Sequence, residues 1–508
     1  MVNNIKQRSV SRSLIILNCV MALIYMGWWF YFPHADNMIL YILLLLGEIY
    51  HVGMALGFWF TIYPRMAKKI NKGFFNDSLE VDIFITVAGE PVAFVEKTAK
   101  AAKDLNYPKK KIYILNDGYI AQKDNWEEIE QLAKRIGVQC ITRKTPGGAK
   151  AGNINNALRQ TKGQLVAILD ADMVPHNNFL SELVPYFVNE RVAFVQSPQY
   201  YKNNEENNIT AGAWEQQNFF FGPIMQGKDK LNAAFICGTN VVVRRKALLE
   251  VGGVNEQNIA EDFLTSLFIH QRKWQSVYVP EVHCEGLAPE DLLSYYKQQH
   301  RWARGSLEIL FRFNPFFRKG LTFEQRFQYL LSALYYLNGI IVLIDIIMPV
   351  LYLYFGVQPV AATTTSFALF FIPYIYFSFY TIYIASGESI TFRAISFSQS
   401  SWTLQLSALY SLLRGKKVQF AVTSKQKKVG NFLFLIYPHL LYVIIAITGV
   451  IINIFRFGVD PAVTTNSAWV IINIVFFLPF IKAAYQWNNL LHVFSFPWHL
   501  HNFSKTNI

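Results

Sequence analysis

Charge and cysteine are both scarce in this sequence. Charged residues make up 16% of its 508 residues, against roughly 25% in an ordinary soluble domain. The irregular spacing of its four cysteines, at positions 19, 140, 237 and 284, predicts neither a metal-ligand set nor a disulfide framework. The chain lacks a G-x-G-x-x-G turn and a Walker A loop, so a nucleotide would have to be held in another way. It also lacks a DNA-reading motif.

Apolar and aromatic residues are abundant instead. With 42 Phe, 27 Tyr and 11 Trp, the chain is too apolar to be disordered. A block of about 20 apolar residues is long enough to cross the core of a bilayer. The predicted spans are 13–33, 37–62, 327–355, 364–385, 431–455 and 461–481. A buried core helix is the alternative for any single block, but six blocks in two clusters predict an integral membrane protein.

The formal net charge is +13, and most of the excess flanks the predicted spans. Lys and Arg are concentrated before the first span, after the second, and between the fourth and fifth. Because cytoplasmic loops carry the excess of Lys and Arg, we expect both termini, the large middle segment and the 386–430 connection to be cytoplasmic. These residues would attract anionic membrane lipid. We therefore expect no nucleic acid as a partner.

Two features near the membrane leave alternatives open. Glu48, His51 and Asp345 lie within predicted spans, where ionisable residues are costly. Such residues line a polar path, or they snorkel or pair in a structural role. Residues 389–413 are apolar but include Ser, Gln and Arg393, a mixture that favours a helix along the cytoplasmic membrane surface.

Residues 78–320 alternate between short apolar runs and amphipathic segments. The predicted strands are 81–87, 111–115, 138–143 and 165–169, and the predicted helices are 92–105, 126–136 and 153–160. This alternation predicts a parallel α/β sheet with crossover helices. Such sheets bind ligands at the carboxyl ends of their strands. Asp117 follows the second strand, and Asp170 and Asp172 follow the fourth, so all three are candidate site residues.

Two motifs near these strand ends suit a diphosphate. Asp170-Ala171-Asp172 would hold Mg²⁺ or Mn²⁺ through carboxylate oxygens, with a substrate diphosphate completing the shell. The alternative is a simple turn. The turn Gly147-Gly148-Ala149 leads into a helix and would place Lys150 and backbone N–H groups near a phosphate. The alternative there is a helix start with a solvated lysine.

Three further motifs are ambiguous when taken singly. Glu261 and Asp262 open an apolar helix, as a capping pair would. Residues 298–302, Gln-Gln-His-Arg-Trp, lie on a predicted amphipathic helix whose alternative role is contact with lipid headgroups. Residues 420–425, Phe-Ala-Val-Thr-Ser-Lys, lie in the basic connection, where a solvated loop is the alternative.

In this order, the motifs together resemble those of the processive family 2 glycosyltransferases, in the cellulose-synthase branch. The joint pattern is D, D-x-D, E-D, Q-x-x-R-W and F-x-V-T-x-K, and the resemblance covers nearly the whole chain. The last motif separates this branch from hyaluronan and chitin synthases. The resemblance implies an integral membrane α-helical protein with a cytoplasmic α/β domain of the GT-A, Rossmann-like fold. The implied units are a two-span hairpin at 1–76, the glycosyltransferase domain at 77–325, and four spans at 326–508, which include the interface helix and a gating loop at 416–428.

The resemblance also implies roles on the donor side of the site. Asp117 and Glu90 would bind the uridine end of a UDP-sugar. Lys150, Asp170 and Asp172 would bind its diphosphate, the two aspartates partly through Mg²⁺ or Mn²⁺. The gating loop, with Phe420, Val422, Thr423 and Lys425, would close over the bound nucleotide.

On the acceptor side, the resemblance implies that Asp262 is the general base, with Glu261 next to the substrate. Gln298 and Arg301 would contact the diphosphate or the acceptor, and Trp302 would stack beneath the acceptor sugar. The segment 235–239 is similar to the family's acceptor-side segment, with Cys237 as a packing residue and not a nucleophile. These residue types suit inverting transfer, which needs a carboxylate base and neutralisation of the leaving diphosphate.

The chain departs from the family pattern in four motifs. The family motifs T/S-Y-N-E-P, D-D-G, H-A-K-A-G-N and T-E-D are here T-V-A-G-E-P, N-D-G, G-A-K-A-G-N and A-E-D. A charged member survives in each motif, so the departures bear on nucleotide geometry and acceptor placement, and hence on the linkage made.

The expected function is that of a bacterial plasma-membrane β-glucan synthase. It would use UDP-glucose and a growing polysaccharide acceptor, with a cellulose-, curdlan- or capsule-like product. The alternatives are a chitin- or hyaluronan-like polymer, a glycolipid product, and a non-catalytic transporter. We expect no cyclic-di-GMP-binding barrel in this chain.

Overall fold

The computed structural model describes residue 5 and residues 8–31, 35–66, 72, 79–415 and 432–484. Within these ranges, an α/β domain built on a mixed seven-stranded sheet is joined to a bundle of long apolar helices. The strands are β1 (Val81–Val87), β2 (Lys110–Asn116), β3 (Gln139–Thr142), β4 (Leu165–Asp170), β5 (Val174–Pro175), β6 (Val192–Gln196), β7 (Tyr200–Tyr201), β8 (Val241–Arg244), β9 (Gln275–Tyr278) and β10 (Cys284–Gly286).

The α-helices fall into three groups along the chain. The first group is α1 (Arg12–Trp29) and α2 (Met38–Ile62). The α/β domain contains α3 (Val92–Lys103), α4 (Trp126–Ile136), α5 (Ala149–Gln160), α6 (Phe179–Leu183), α7 (Asn208–Phe219), α8 (Met225–Lys230), α9 (Arg245–Glu250), α10 (Glu261–Gln271) and α11 (Leu292–Glu308). The last group is α12 (Phe323–Leu334), α13 (Asn338–Phe355), α14 (Thr364–Ala385), α15 (Phe392–Ser400), α16 (Trp402–Leu413), α17 (Tyr437–Phe457) and α18 (Pro461–Ala484).

The large sheet has the strand order β3-β2-β1-β4-β8-β6-β9. All seven residues of β1 are buried, as expected for a central strand covered by helices on both faces. Successive side chains point to opposite faces, so Ile83 and Ile85 pack into the core on one side of the sheet and Phe84 into the core on the other. The apolar runs seen in the sequence are therefore strands covered on both sides.

The expectation of an all-parallel sheet is wrong for one strand. Strands β3, β2, β1 and β4 are parallel, as predicted, but β8 runs antiparallel to both β4 and β6. The segment before β8 passes along the carboxyl edge of β4, where the carbonyl of Gly238 accepts a hydrogen bond from Lys150. Because β8 starts at that edge, it can only run back across the sheet.

Six helical segments of the described residues are long and apolar enough to cross a membrane. They are Arg12–Trp29, Met38–Ile62, Phe323–Phe355, Thr364–Ala385, Tyr437–Phe457 and Pro461–Ala484. Each corresponds to one of the six predicted spans. The membrane helices and the α/β domain together confirm the expected fold class.

Polar residues on different membrane helices lie next to one another. The imidazole Nε2 of His51 on α2 lies 3.7 Å from a carboxylate oxygen of Asp345 on α13. On α1, the amide of Asn18 donates to the Thr381 hydroxyl of α14 at 2.7 Å. Of the alternatives left open above, this arrangement matches pairing for His51 and Asp345.

The predicted interface helix consists of two consecutive helices, α15 and α16, with Ser401 between them. Helix α15 packs against α7 of the α/β domain and against α18, and α16 packs against α11. This segment therefore joins the α/β domain to the membrane helices.

Candidate active site

The register of the central strands places the candidate residues at one edge of the sheet. Val87 of β1 is level with Asn116 of β2, and Thr86 is level with Asp170 of β4. Asp117 follows directly, and its backbone N–H donates to the Val87 carbonyl at 2.8 Å. The predicted meeting of Asp117 and Asp170 at the carboxyl edge follows from this register.

Asp117 is held by an arginine that the sequence pattern did not single out. The guanidinium of Arg143 donates from Nε and Nη2 to the two carboxylate oxygens of Asp117, at 2.9 and 2.7 Å. Both side chains are buried. Burial raises the pKa of Asp117, and the Arg143 hydrogen bonds and charge oppose that shift. Arg143 follows the edge strand β3, and only the β2–β3 pairing shows that it reaches the same edge.

Arg143 also ties Asp117 to the turn before α5. Its guanidinium donates to the carbonyl of Ala149 at 3.1 Å and to the carbonyl of Gly147. Gly147 and Gly148 have φ angles of 127° and 66°, which glycine adopts without steric cost. The Asp117 carboxylate and the glycine turn are thus fixed by one side chain.

Lys150 lies in the first turn of α5 and connects the turn to β4. Its ammonium donates to Asp170 and, at 2.9 Å, to the carbonyl of Gly238. Burial lowers the pKa of Lys150, but the carboxylates of Asp170, Glu261 and Asp262 outweigh that effect and raise the pKa overall. The predicted cation therefore lies among carboxylates and is no solvated lysine.

Asp170 and Asp172, the predicted metal ligands, lie at the carboxyl end of β4. Asp170 accepts from the Thr86 hydroxyl at 3.2 Å, and its backbone N–H donates to the Thr239 hydroxyl at 2.9 Å. Asp172 is buried. Among the described residues, no group of three or more His, Cys, Asp or Glu side chains is arranged to hold a metal ion. Two carboxylates fit Mg²⁺ or Mn²⁺ if a ligand such as a diphosphate supplies the other oxygens.

Glu90 follows β1 in a turn and faces the same carboxylates. One of its carboxylate oxygens accepts from the backbone N–H of Ala88 at 2.6 Å. Burial raises the pKa of Glu90 to about 7, the backbone hydrogen bonds oppose the shift, and the charges of Asp170 and Asp172 add to it.

Glu261 and Asp262 form the first turn of α10, across Gly238 from Lys150. A side-chain Cβ at Gly238 would lie 3.2 Å from a carboxylate oxygen of Asp262 and 3.7 Å from the Lys150 ammonium. Gly238 has a φ of 80°, so a side chain here would be strained and would fill the space between the two charges. Burial raises the pKa of Asp262, and it raises that of Glu261 to about 7.

The capping alternative for Asp262 accounts for one of its oxygens. Oδ1 accepts from the backbone N–H of Phe263 at 2.8 Å, and a carboxylate is favourable in the first turn of a helix. The other oxygen, Oδ2, is the one that faces Gly238. Asp262 thus has one oxygen held by the helix and one directed to the edge of the sheet.

Arg301 on α11 completes the charged cluster. Burial lowers its pKa, and the carboxylates of Glu261, Asp170 and Asp262 oppose the shift, so the guanidinium lies within electrostatic reach of all three. Gln298 is buried one turn earlier on the same face of α11, and the next residue, Trp302, is half-buried. The structure thus brings the Q-x-x-R-W motif to the site through Arg301.

Cys237 lies beside this cluster, in the segment before β8. Its backbone N–H donates to Gln196 at 2.9 Å, and its thiol lies 3.6 Å from the Phe235 carbonyl. Burial raises the pKa of the thiol well above its ordinary value, which keeps it protonated and poorly nucleophilic.

The gating loop, with Phe420, Val422, Thr423 and Lys425, lies outside the described residues. Its role stays a prediction.

Comparisons with known proteins match most of the chain to two family models. A family model described as "Glycosyltransferase like family 2" matches residues 81–305, and one described as "Cellulose synthase" matches residues 249–496. A cellulose synthase catalytic subunit [UDP-forming] of Pseudomonas fluorescens is 30% identical over 78% of this chain and 55% of the relative. The cellulose synthase 1 catalytic subunit [UDP-forming] of Komagataeibacter xylinus is 28% identical over 96% of this chain and 68% of the relative. The chain therefore spans between about half and two thirds of the length of these relatives.

The fold also has a solved counterpart. A mannosyltransferase from Pyrobaculum calidifontis, solved in complex with GDP-Man and Mn²⁺, superimposes with a TM-score of 0.53 at 17% identity, covering 74% of this chain and all of the other. The α/β domain thus has the GT-A glycosyltransferase fold. The two family-model matches together span residues 81–496 and confirm the resemblance to the cellulose-synthase-like branch of the family 2 glycosyltransferases that the sequence motifs indicated.

Proposed function

We propose that this protein is a processive, inverting β-glucosyltransferase that polymerises UDP-glucose and passes the polymer across the bacterial plasma membrane. The observation that carries the proposal is the meeting of Asp262 and Lys150 on either side of Gly238, within a GT-A domain joined to six long apolar helices. Asp262 would be the general base and Lys150 the cation for the leaving group, and the residue between them is a glycine. The product would be a cellulose-, curdlan- or capsule-like β-glucan.

In the proposed reaction, Asp262 accepts the proton of an acceptor hydroxyl as that oxygen attacks the anomeric carbon. The new glycosidic C–O bond forms while the bond from the anomeric carbon to the diphosphate breaks, so one face of the carbon gains the acceptor and the other loses UDP. Burial raises the pKa of Asp262, which strengthens it as a base. Its Oδ1 accepts a hydrogen bond from the backbone N–H of Phe263, which fixes the orientation of the carboxylate.

Lys150 and Arg301 would stabilise the negative charge that develops on the leaving diphosphate. Lys150 is paired with Asp170 in the structure. Asp170 and Asp172 would hold Mg²⁺ or Mn²⁺, which would neutralise the diphosphate when bound. Six carboxyls, those of Glu90, Asp117, Asp170, Asp172, Glu261 and Asp262, share this site with three cations, Arg143, Lys150 and Arg301. An excess of acid suits a donor that arrives with a divalent ion.

We infer that the α/β domain and both termini are cytoplasmic, since UDP-sugars are made in the cytoplasm and the basic segments flank the spans on that side. The growing glucan would leave through the membrane helices, and anionic lipid would contact the basic connections. Glu90 and Asp117 would bind the uridine, and Gln298 and Trp302 the acceptor chain, with Cys237 packed beside it.

The test is to incubate the purified protein with individual UDP-sugars and to measure both UDP release and product. We expect UDP release from UDP-glucose and a product that linkage-specific glucanases digest, with neither in Asp262→Asn. UDP release only from an amino-sugar or uronic-acid donor would replace the glucan with another polymer. A lipid-linked product of one or two sugars would contradict processivity, and no UDP release from any donor would favour a non-catalytic transporter.

A further inference from the structure

A buried lysine lies at the junction between the α/β domain and the membrane helices, outside the site described above. Lys228 on α8 is 3% exposed, which is rare for lysine. Its ammonium donates to the backbone carbonyl of Gln328 at 2.9 Å, to the Gln328 side-chain oxygen at 3.1 Å and to the Ser332 hydroxyl at 2.9 Å. All three acceptors are neutral and belong to α12, so the charge is stabilised by hydrogen bonds from one membrane-side helix.

The same hydrogen bonds reach a second membrane helix. The Thr61 hydroxyl, at the end of α2, donates to the side-chain oxygen of Gln328 at 3.0 Å. Next to Lys228, Gly227 lies so close to α2 that a Cβ there would come within 2.5 Å of the Thr61 carbonyl. Helices α8, α2 and α12 are therefore packed in a single arrangement at this point.

On its other side, Lys228 contacts the segment that leads to the active site. Its ammonium lies 5.7 Å from the centre of the Phe235 ring, a cation–π distance. The Phe235 ring packs edge-on against Phe263, with ring centres 4.7 Å apart, and Phe263 follows Asp262 directly. Three residues after Phe235, the Gly238 carbonyl accepts from Lys150. Lys228 thus lies between α12 and the residues on both sides of the proposed acceptor position.

A buried charge at this position is costly, and packing alone would not require one. Burial lowers the pKa of Lys228 to about 7, which reflects the penalty of removing an ammonium from water. An apolar side chain of similar length would fill the same space without that penalty. The ammonium, however, supplies three directed hydrogen bonds that fix α12 at one rotation and height, which an apolar contact does not.

We propose that Lys228 is a positioning residue that fixes the segment Phe235–Thr239 against α12, and so sets where the acceptor hydroxyl meets Asp262. This inference rests on the proposed transferase function. Lys228 reaches the donor-side residues Lys150 and Asp170 only indirectly, through Gly238 and Thr239, whereas Phe235 packs directly against Phe263, next to Asp262. Loss of Lys228 would therefore misplace the acceptor more than the donor.

The test compares Lys228→Met with Lys230→Met, a matched removal of a lysine from the same short helix. For each protein, UDP release, glucose incorporated into polymer, and KM for UDP-glucose are measured. In Lys228→Met we expect an unchanged KM, with polymer synthesis reduced on the order of tenfold to a hundredfold, as misplacement of reacting groups produces. Hydrolysis of the donor by water should persist, so the ratio of UDP released to glucose incorporated into polymer should rise. Lys230→Met should behave as the parent.

A purely structural role would lower the amount of active protein, which reduces polymer and hydrolysis in proportion and leaves their ratio unchanged. That result would overturn the inference. If Lys228→Met does not fold, Ser332→Ala removes a single acceptor of the same ammonium and must shift the ratio in the same direction; an unchanged ratio in that folded variant is again contradictory. Failure of the proposed function itself would be seen separately, as absence of UDP release in the parent protein.

Discussion

The carboxyl edge of the sheet and the membrane helices hold their ionisable residues in opposite ways. At the edge, the carboxyls of Asp170, Glu261 and Asp262 share two cations, Lys150 and Arg301. In the membrane helices, charge is sparse and His51 and Asp345 lie 3.7 Å apart as a pair. Excess acid at the edge suits a cationic or metal-bearing ligand, whereas pairing within the membrane minimises the cost of polar groups in a medium that cannot solvate them. We therefore expect the charges at the sheet edge to act in the reaction and the pair in the membrane helices to act in packing.

Removal of divalent metal should have the largest effect on the edge. Because Asp170 and Asp172 supply only part of an oxygen shell, we expect UDP release to vanish in EDTA and to return when Mg²⁺ or Mn²⁺ is added in excess. Titration of each ion separately measures which one is preferred. Full activity in chelator would mean that the two aspartates form a turn and bind no metal.

Asp262→Asn should be nearly as severe. Loss of a general base lowers the rate by roughly 10²–10⁴-fold, while UDP binding, measured calorimetrically, should persist because the donor-side residues are unchanged. Asp124→Asn, which alters an exposed aspartate in the same domain, is the control. A folded Asp262→Asn protein with near-parental turnover would leave Asp262 with a capping role only.

Arg143→Met tests whether the edge depends on its internal ion pair. Removing one partner of a buried pair leaves an uncompensated charge, so the free energy of unfolding should fall by about 3–5 kcal/mol. Arg135→Met breaks an exposed pair with Glu96 and should cost far less, because exposed ion pairs contribute little to stability. Thermal unfolding of both variants in detergent measures the difference. Equal, small losses would mean that Asp117 is solvated once Arg143 is gone.

The stability of the metal-free protein should depend on pH through Glu90. Burial raises the pKa of Glu90 from 4.5 to about 7 in the folded protein. The folded state therefore binds more protons than the unfolded state between these values, and stability falls as pH rises from about 4.5 to about 7. Unfolding temperatures measured across this range should decline, and Glu90→Gln should reduce the slope but not abolish it, because the pKa of Glu261 is raised over the same range. An unaltered slope in that variant would assign the effect to other groups.

Asp345→Asn should have the smallest effect on chemistry. Since Asp345 pairs with His51 away from the sheet edge, we expect UDP release to stay within about twofold of the parent. The same exchange at the edge, Asp170→Asn, should abolish it, and parallel assays of the two variants make the comparison direct. Loss of UDP release in Asp345→Asn would show that the membrane pair is coupled to the site.

Much of the fold could be predicted from apolar periodicity alone. Strand β1 and helix α4 have the predicted bounds, and α14 coincides with the predicted span 364–385, because each is a long segment whose burial pattern is set by local sequence. The direction of β8 could not be predicted in this way. The four residues of β8, Val241–Arg244, carry no signal for the direction of the strand. That direction is set by the contact of the preceding residue Gly238 with Lys150.

The site was predictable where motifs sit at strand ends and helix starts. Asp117 and Asp170 reach the same edge because parallel strands end together there, and Lys150 and Asp262 reach it in the first turns of α5 and α10. Arg143 and Lys228 were missed, since neither belongs to a spaced motif. Their partners lie 26 and about 100 residues away in the chain, so only the folded structure shows the contacts.

The amino-acid sequence by itself determined that this chain has membrane spans, an α/β domain and a set of carboxylates at strand ends, because apolar length, alternation and motif order are local properties. The tertiary structure decided which charges share an environment. It paired Asp117 with Arg143, placed Asp262 and Lys150 on either side of Gly238, and buried Lys228 against α12. The physical reason is that burial and electrostatic coupling depend on distances through space, which strand register and helix packing set and sequence spacing does not.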